Sequence, residues 1–489
     1  MKNNNERVVK KPPKPPKPPK PPKPNNKEVQ VNNSASDIAN FPNITQSETS
    51  LAHFRDFILY GFNDSNDEFT RNSFSGFAFS KDLGKTWTDG GSIPTNPGGV
   101  NNGDPVIAVD KKGIFYYGQI GQEVVGGTQQ DVISVSTGVI NPNKTITMNP
   151  PQVVGRGQNP QNGNFSQDKE WITVGTDRTR PGQEALYIVW KDFTTNLGRI
   201  RFSKYTTGVN LNPLITDIDI ISPPNANTFV EGEYVIVDKQ GVIYVFYAVI
   251  PNNNLLLKQA NRTIRMRKST DGGQTFPVNT DVAVSTTPFA AAANNVVPCE
   301  PGFNRTVIFV DAQRDIRNNE FPQASIGPDG TIYAVWNGGT VNGDINIFLA
   351  FSRNQGATWS QPVNITQGLP FAFFPSVAAN AKGAHIQYNR FNDPAGVGGI
   401  GNGTFGIFKK TFSVTRGLNP ESVISNPSSP VTITRPPQDP GVGPCYMADY
   451  NQVITGPRES LLHAWSDNRN TLNGLNNPNV FFRKTESKP

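Results

Sequence analysis

Residues 321–359 read FPQASIGPDGTIYAVWNGGTVNGDINIFLAFSRNQGATW, and the rest of the chain repeats this arrangement. Two apolar runs flank the turn GPDG, and a third run, INIFLAFS, leads into the polar turn SRNQGATW. Short apolar runs bounded by Gly, Pro, Asn and Asp indicate β-strands joined by tight turns. The stretch therefore predicts three antiparallel strands followed by a turn of defined conformation.

Units of this kind recur along the chain, and their third strands end on a hydroxyl residue every 56 to 83 residues. A lone sheet of three or four strands cannot bury both of its faces, so repeats of this size stack radially. The pattern predicts an all-β propeller of four-stranded blades, with seven blades preferred and six as the alternative. The third strands end at Ser80, Ser136, Ser203, Ser269, Ser352, Thr411 and Thr485.

The last unit has room for only three strands, because four residues follow Thr485. Residues 27–32, KEVQVN, form a short alternating strand with no partner nearby in the sequence. We expect this strand to complete the last blade and to close the ring, which hides two open sheet edges. The predicted domains are the propeller, residues 27–489, and an N-terminal arm, residues 1–26.

The arm contains KKPPKPPKPPKPPKP at residues 10–24, a pattern that forbids helix and favours polyproline II. We expect a disordered spacer, with an arm that binds an anionic polymer or a receptor for Pro-rich motifs as the alternative. Residues 1–27 carry a charge of +8 and the whole chain carries +6, so the remaining residues carry −2. A nearly neutral body does not indicate nucleic-acid binding.

The composition also bears on membranes, metals and compartment. No run of 18 apolar residues indicates a transmembrane helix, and no apolar stretch after Met1 indicates a secretory signal peptide. Cytoplasmic assembly and unconventional export to a cell, spore or particle surface both remain open. Three separated histidines predict no His-based zinc site, and we expect neither metal nor cofactor. We expect Cys299 and Cys445 to be free buried thiols, with a mutual disulfide as the alternative.

Three polar turns share one pattern: SKDLGKTW at 80–87, STDGGQTF at 269–276 and SRNQGATW at 352–359. The Asp or Asn oxygen accepts backbone N–H bonds within the turn, and the glycine permits a positive φ. The pattern resembles the Asp-box (BNR) repeat of the sialidase superfamily, whose members are β-propellers. That resemblance implies a structural role, on the side away from the active site, for Asp82, Asp271, Asn354, Trp87, Phe276 and Trp359.

The opposite side of a propeller carries the starts of the first strands and the loops between second and third strands, and it is the natural ligand mouth. Sialidases hold a substrate carboxylate with three arginines and use a Tyr–Glu pair with an Asp acid/base, so the resemblance implies candidates of these types here. The catalytic candidates are Glu320, Asp449, Tyr450 and Glu233. The substrate-binding candidates are Arg317, Arg390, Arg469, Asp104 and Tyr446.

The Arg-Ile-Pro segment that carries the first sialidase arginine is absent from the sequence. We therefore favour a sialidase-like propeller that recognises glycans for surface attachment or as a surface component, with weak or no catalysis. The alternative is an exo-acting glycoside hydrolase of sialidase type on a terminal sugar that can be anionic. A purely structural coat or shell protein is the second alternative. The identity of the sugar and the oligomeric state stay open.

Overall fold

The computed structural model describes residues 27–35, 37, 44–67, 72–157, 166–194, 198–252, 256–300, 303–392, 400–425 and 429–486. These residues form β-strands and three short 3-10 turns, Ser65–Asp67, Val278–Thr280 and Pro457–Glu459, and the described ranges contain no α-helix. The all-β prediction is therefore confirmed. No helix in this part of the chain is long and apolar enough to cross a membrane.

Antiparallel sheets follow one another along the chain, and we number them in that order. Sheet 1 contains Gln46–Phe54, Phe57–Asp64, Ser75–Ser80 and Thr88–Ser92. Sheet 2 contains Val100–Val109, Phe115–Val125, Thr128–Ile140, Ile146–Met148 and Gln152–Gly155. Sheet 3 contains Gln167–Thr176, Glu184–Asp192, Arg199–Thr206 and Pro213–Ile221. Sheet 4 contains Thr228–Val237, Ile243–Pro251, Thr263–Ser269 and Val282–Ala283.

Three further sheets and an insertion complete the described chain. Sheet 5 contains Gln323–Ile326, Ile332–Gly339, Ile345–Ser352 and Val363–Asn364. Sheet 6 contains Ala372–Asn380, Gly383–Phe391, Thr404–Ser413, Gly417–Leu418, Ser422–Val423 and Ser429–Pro430. Sheet 7 contains Gln452–Thr455, Leu461–Leu472, Leu475–Thr485 and the N-terminal strand Val29–Gln30. The inserted sheet, between sheets 4 and 5, contains Asn295–Glu300, Phe303–Phe309 and Asp315–Arg317.

The numbered sheets form a ring. The first strand of each sheet contacts the first strand of the next, and the first strand of sheet 7 contacts that of sheet 1. This circular order is that of a β-propeller, with the first strands innermost. We call the ends where first strands begin the mouth side, and the ends where first and second strands are joined the turn side.

The N-terminal strand joins the ring as the outer strand of sheet 7. Val29 pairs with Phe482 and Gln30 pairs with Phe481, antiparallel to Leu475–Thr485. The backbone N–H of Val31 then donates to the carbonyl of Val480 at 2.8 Å. The first and last described strands of the chain thus share one sheet.

The first strands carry a bulge close to the mouth side. Their pairing with the second strand shifts register there in sheets 1, 2, 3, 4 and 6. One residue inside each shift has a positive φ: Glu48 at 51°, Asp104 at 58°, Lys169 at 54°, Gly232 at 71° and Phe374 at 51°. A bulge inserts an unpaired residue and changes the direction of the adjacent side chains. The polar side chains at the strand starts therefore do not alternate between the two faces of the sheet.

The three polar turns hold neighbouring sheets together. Asp82 Oδ1 accepts from the backbone N–H groups of Lys85 and Thr86 at 3.0 and 2.9 Å, and Asp271 and Asn354 make equivalent bonds. Trp87 then packs with its ring centroid 5.6 Å from Tyr60 and 5.1 Å from Phe482, which belongs to sheet 7. The equivalent aromatic residues pack on the preceding sheet in the same way, Phe276 on Phe202 and Trp359 on Phe246.

The inserted sheet is covalently attached to the segment that precedes sheet 7. The expectation of free thiols is wrong, because Cys299 and Cys445 form a disulfide across a sequence separation of 146. Both cysteines are buried, together with Val297 and Val307. The pairing depends on long-range packing that brings an insertion beside a distant segment.

Candidate active site

Four carboxyl side chains, three from sheets 2, 3 and 4 and one from the segment before sheet 7, lie at the mouth side, and we call them the carboxyl ring: Asp104, Asp168, Glu231 and Asp449. Each is partly exposed. Asp168 and Asp449 raise the pKa of Asp104, and Asp449 also raises the pKa values of Asp168 and Glu231, which shows that these charges lie within reach of one another. The first-strand bulges of sheets 2, 3 and 4 supply three members, and the segment that leads into sheet 7 supplies Asp449.

Burial is the main cause that raises the pKa values of Asp104, Asp168 and Glu231. Burial raises the pKa of Asp104 to about 7, with the charge of Asp168 as the next cause. Burial likewise raises the pKa of Glu231 to about 7, although the ammonium group of Lys191 opposes this rise. A carboxylic acid that exchanges its proton near neutral pH is suited to acid–base chemistry.

Glu48 lies directly behind Asp104. The two side chains share a hydrogen bond, and the Nδ2 of Asn63 donates to Glu48 Oε2 at 3.1 Å. Burial, followed by the charge of Asp104, raises the pKa of Glu48 well above its usual value. Two carboxyl groups in one low-dielectric site share a proton, because both cannot be ionised at the same time without strong repulsion.

Arg317 binds one member of the carboxyl ring through a forked contact. Its Nε and Nη2 donate to the two oxygens of Asp449 at 3.0 and 2.6 Å. The guanidinium carbon lies 5.1 Å from the ring centroid of Tyr446, and the Tyr446 hydroxyl lies 2.7 Å from Ser47 Oγ. Such paired hydrogen bonds fix the geometry of both partners.

A buried layer lies beneath the ring. Glu170 and Glu233 are each 1% exposed, and neither carboxyl group has a hydrogen-bond partner among the described residues. Burial raises the pKa of Glu233 to about 8. The Nζ of Lys169 lies 4.5 Å from the ring centroid of Tyr450 and 5.0 Å from that of Trp171, so aromatic faces hold its charge between these carboxyl groups.

Two of the sequence candidates have structural partners. Glu320 is buried, lies 3.2 Å from the Nε of Arg262 and accepts from the backbone N–H of Ala292 at 2.8 Å. Tyr450 donates its hydroxyl to the carbonyl of Pro105 at 3.0 Å, and burial raises its pKa well above the usual value. Both groups hold neighbouring segments together, and the charge of Glu320 also acts on Glu231. Asp449 belongs to the carboxyl ring, and Glu233 lies in the buried layer beneath it.

The three arginines of the expected carboxylate clamp have separate partners. Arg317 binds Asp449, while Arg390 binds Glu421 with an Nη2–Oε2 distance of 2.6 Å. Arg469 binds Asp467 at 2.9 Å and also pairs with Glu28, which directly precedes the N-terminal strand. Of the three, Arg317 is the one whose charge acts on Glu48 and Asp168, so the clamp stays a prediction with Arg317 as its supported member.

Several mouth residues were not identified from the sequence. Glu48 occupies in sheet 1 the bulge position that Asp104 occupies in sheet 2, so aligning the first strands would have found it. Lys191 is the residue before the end of the second strand of sheet 3, and Arg305 lies on the inserted sheet. No local pattern marks either residue, since only the packing of sheet 4 and the insertion brings them to Glu231.

A cavity of about 440 Å³ lies elsewhere, on the turn side of sheets 4 and 5. Its lining includes Asp238, Asp329 and Arg353. Asp238 accepts from the Tyr244 hydroxyl at 2.9 Å and Asp329 from the Thr331 hydroxyl at 2.8 Å, so both carboxylates have partners close in sequence. We place the candidate site at the mouth, where carboxyl groups with raised pKa values are concentrated. In the described ranges, no group of three or more His, Cys, Asp or Glu side chains is arranged to hold a metal ion.

Comparison with known proteins gives a likeness in fold. No protein-family model matches the sequence, and no curated protein matches it. A polysaccharide lyase described as an ulvan lyase superposes with a TM-score of 0.50 at 8% identity, covering 94% of this chain and 96% of that chain. The likeness over nearly the full length of both chains supports a shared propeller fold.

Two other solved structures are similar at lower scores. An α-L-arabinofuranosidase from Fusarium graminearum, in complex with an iminosugar inhibitor, has a TM-score of 0.45 at 10% identity, covering 93% of this chain and 96% of that chain. A sialidase from Trypanosoma rangeli, in complex with the inhibitor DANA, has a TM-score of 0.41 at 12% identity, covering 90% of this chain and 55% of that chain.

Proposed function

We propose that the protein is a glycoside hydrolase that binds a glycan at the mouth and cleaves it at the carboxyl ring. The observation that carries this proposal is Glu231, a partly exposed carboxylic acid at the mouth whose pKa burial raises to about 7, with a smaller contribution from the charge of Asp449. Glycoside hydrolysis uses two carboxyl groups with different protonation states, one acid and one ionised. The likeness in fold does not decide the reaction, so the chemistry of these groups is the support.

In this proposal Glu231 protonates the glycosidic oxygen as the bond between that oxygen and the anomeric carbon breaks. Positive charge develops on the sugar ring, and the carboxylate of Asp449, held by Arg317, stabilises it. Water supplies a hydroxyl group to the anomeric carbon and returns a proton to the carboxyl ring, so the atoms balance. Glu233, Glu320 and Tyr450 support the site from behind.

The architecture and the N-terminal segment complete the proposal. We propose that sheets 1 to 7 are seven blades, and that the three polar turns are Asp boxes of the sialidase-like type. Residues 1–26 act as a cationic spacer that can bind an anionic polymer or a receptor for Pro-rich motifs. Because disulfides persist in oxidising surroundings, the Cys299–Cys445 link favours a site that works outside a reducing cytosol.

Turnover of fluorogenic glycosides tests the proposal, with a panel that includes α-L-arabinofuranosides, β-galactosides and sialosides. We expect wild type to cleave at least one member and Glu231→Gln to lower kcat by at least about 100-fold, the usual contribution of a positioned acid. The melting temperature should hardly change, because Gln keeps the shape of the side chain. Glu184→Gln, which removes a carboxyl group from the turn side of sheet 3, is the matched control and should retain full activity.

Glycan binding without any turnover would contradict hydrolysis and favour the attachment function. A wild type that neither binds nor cleaves glycans would favour a purely structural role. Equal kcat in wild type and Glu231→Gln would move the acid role to another member of the carboxyl ring.

A further inference from the structure

Phe193 is an exposed aromatic residue on the mouth side. It directly follows the second strand of sheet 3 and is 47% exposed. The other large apolar residues with high exposure in the described chain are aliphatic. Isolated exposed apolar residues are common on protein surfaces, so exposure alone does not make Phe193 a binding residue.

The structure holds Phe193 in place rather than leaving it on a free loop. Its backbone N–H donates to the carbonyl of Ser166 at 2.7 Å. The adjacent Asp192 is fully buried and accepts from the backbone N–H of Thr194 at 3.0 Å and from Gln167 Nε2 at 3.0 Å. These hydrogen bonds fix the backbone of Phe193 and of the residue on each side of it. The aromatic ring therefore loses little conformational entropy when it binds a ligand.

One side of the Phe193 ring is covered from below. The Nζ of Lys191 lies 5.0 Å from the ring centroid of Phe193 and 5.6 Å from that of Phe229. Lys191 is 1% exposed, and its Nζ has no hydrogen-bond partner among the described residues. The cation thus supports the ring from the inside, and the exposed part of the ring faces outward.

Lys191 also connects this ring to the candidate active site. The charges of Glu231, Glu233 and Asp168 act on Lys191, which places its ammonium group among the carboxyl groups of sheets 3 and 4. Lys191 thus lies against the Phe193 ring and within electrostatic reach of Glu231. A ligand with its scissile bond at Glu231 extends past the Phe193 ring if it runs along this edge of the mouth.

We propose that Phe193 forms a stacking subsite for an uncharged sugar ring, next to the carboxyl ring. The inference rests on the proposed function and adds a ligand class and a position to it. The C–H face of a sugar ring is apolar and flat enough to cover an aromatic ring, and its hydroxyl groups point to the side. Such a contact orients the sugar that neighbours the cleaved bond.

The cations at the mouth already face carboxyl groups of the protein, which disfavours an acidic sugar. Arg317 is paired with Asp449, and the buried Lys169 and Lys191 are acted on by the charges of the neighbouring carboxyl groups. The Nε and Nη2 groups of Arg317 already donate to Asp449. A ligand carboxylate therefore has to compete with Asp449 for the Arg317 guanidinium group. A neutral sugar avoids both that competition and repulsion from the carboxyl ring. This class differs from the anionic sugar that the sialidase resemblance implies.

The experiment begins with an array of neutral arabino-, xylo-, cello- and galacto-oligosaccharides and of sialylated and uronic-acid oligosaccharides. The best neutral binder is then titrated by calorimetry against wild type, Phe193→Ala and Phe193→Trp. We expect Phe193→Ala to weaken binding by about 10-fold or more with an unchanged melting temperature, and Phe193→Trp to retain it. Val278→Ala, which truncates an exposed apolar residue on the turn side, is the control and should bind as wild type does.

Phe193→Trp also reports the contact directly. Its fluorescence should shift to shorter wavelength as the oligosaccharide is added, because the sugar excludes water from the indole ring. Val278→Trp is the matched control and should show no shift. A response of the same size in both proteins would overturn the stacking contact.

The outcomes separate this inference from the proposed function. Equal affinity of wild type and Phe193→Ala, in a protein that binds or cleaves glycans, overturns the subsite alone. Preference for sialylated or uronic-acid glycans overturns the neutral class. Binding that depends on Phe193 without turnover supports the subsite and contradicts hydrolysis, while a wild type that binds no glycan contradicts both.

Discussion

Gly232 separates two glutamates that have different environments. Its φ is 71°, and a Cβ at this position would lie 2.5 Å from the Cδ1 of Phe321, so glycine is required. The bulge around it leaves Glu231 partly exposed and buries Glu233. The segment EGEY shows from the sequence that two acids lie at this strand start. It does not show which one faces the ligand, because strict alternation would place both on the same face.

Replacing Glu233 by Gln should stabilise the protein in alkaline solution. The folded-state pKa is about 8 and the usual value is 4.5, so the folded protein retains a proton that the unfolded chain has lost between these values. This group's contribution to stability is complete below about pH 4.5 and is lost as the pH rises towards 8. We expect Glu233→Gln to be more stable than wild type at pH 9 by on the order of 4–5 kcal/mol.

Urea denaturation of the two proteins at pH 5 and pH 9 checks this expectation. At pH 5 both folded proteins carry a neutral side chain at position 233, and only the ionised fraction of Glu233 in the unfolded wild type separates them, so the difference in stability should be much smaller than at pH 9. Two buried histidines, His385 and His463, have lowered pKa values, but they are common to both proteins and cancel in the difference. A variant less stable than wild type at pH 9 would mean that the folded protein holds Glu233 ionised.

The polar turns are the elements that the sequence predicts most fully. Each turn closes within eight residues, and its hydrogen bonds connect Ser80, Asp82 and Thr86 or their equivalents. Residues this close in sequence determine their own geometry, so a local pattern is sufficient. The first-strand bulges and the inserted sheet were not predicted, because their positions depend on contacts with distant segments.

Removing the acceptor of one polar turn should destabilise the protein without affecting the mouth. Asp82→Ala leaves the backbone N–H groups of Lys85 and Thr86 without their acceptor. We expect a loss of about 1–3 kcal/mol in the free energy of unfolding, with ligand affinity retained in the folded protein. Thermal denaturation together with glycan titration checks both parts.

Asp56→Ala serves as the matched control for this experiment. Asp56 is an exposed carboxylate in the neighbouring turn of the same sheet, and its truncation should change stability by less than about 0.5 kcal/mol. Loss of glycan binding in a fully folded Asp82→Ala protein would contradict a structural role for this turn.

The ring as a whole is closed by a very short N-terminal strand. Val31 is 3% exposed within an apolar cluster that includes Phe482, and the Nδ2 of Asn32 donates to Asn479 Oδ1 at 2.8 Å. Closure was predicted from the missing fourth strand of the last unit. The hydrogen-bond partners of the Asn32 side chain were not predicted, because they lie more than 400 residues away in the sequence.

Two N-terminal truncations test the closure. Deletion of residues 1–24 should leave the melting temperature nearly unchanged, because it retains the strand and its contacts. Deletion of residues 1–33 should lower stability by on the order of a few kcal/mol, because sheet 7 loses an edge strand and its packing. Differential scanning calorimetry of both proteins measures the difference, and equal melting temperatures would contradict closure by this strand.

The direction of the closing strand determines how the protein is oriented when its N-terminal segment is bound. Val29–Gln30 runs antiparallel to Leu475–Thr485, so the chain enters sheet 7 near Thr485, on the turn side, and proceeds towards the mouth side. Lys27, the first described residue, therefore lies on the side of the ring opposite the carboxyl ring. If the N-terminal segment is tethered to a wall, a particle or a polymer, the mouth points outward into the medium, where the protein meets glycans of its surroundings and not those beneath it.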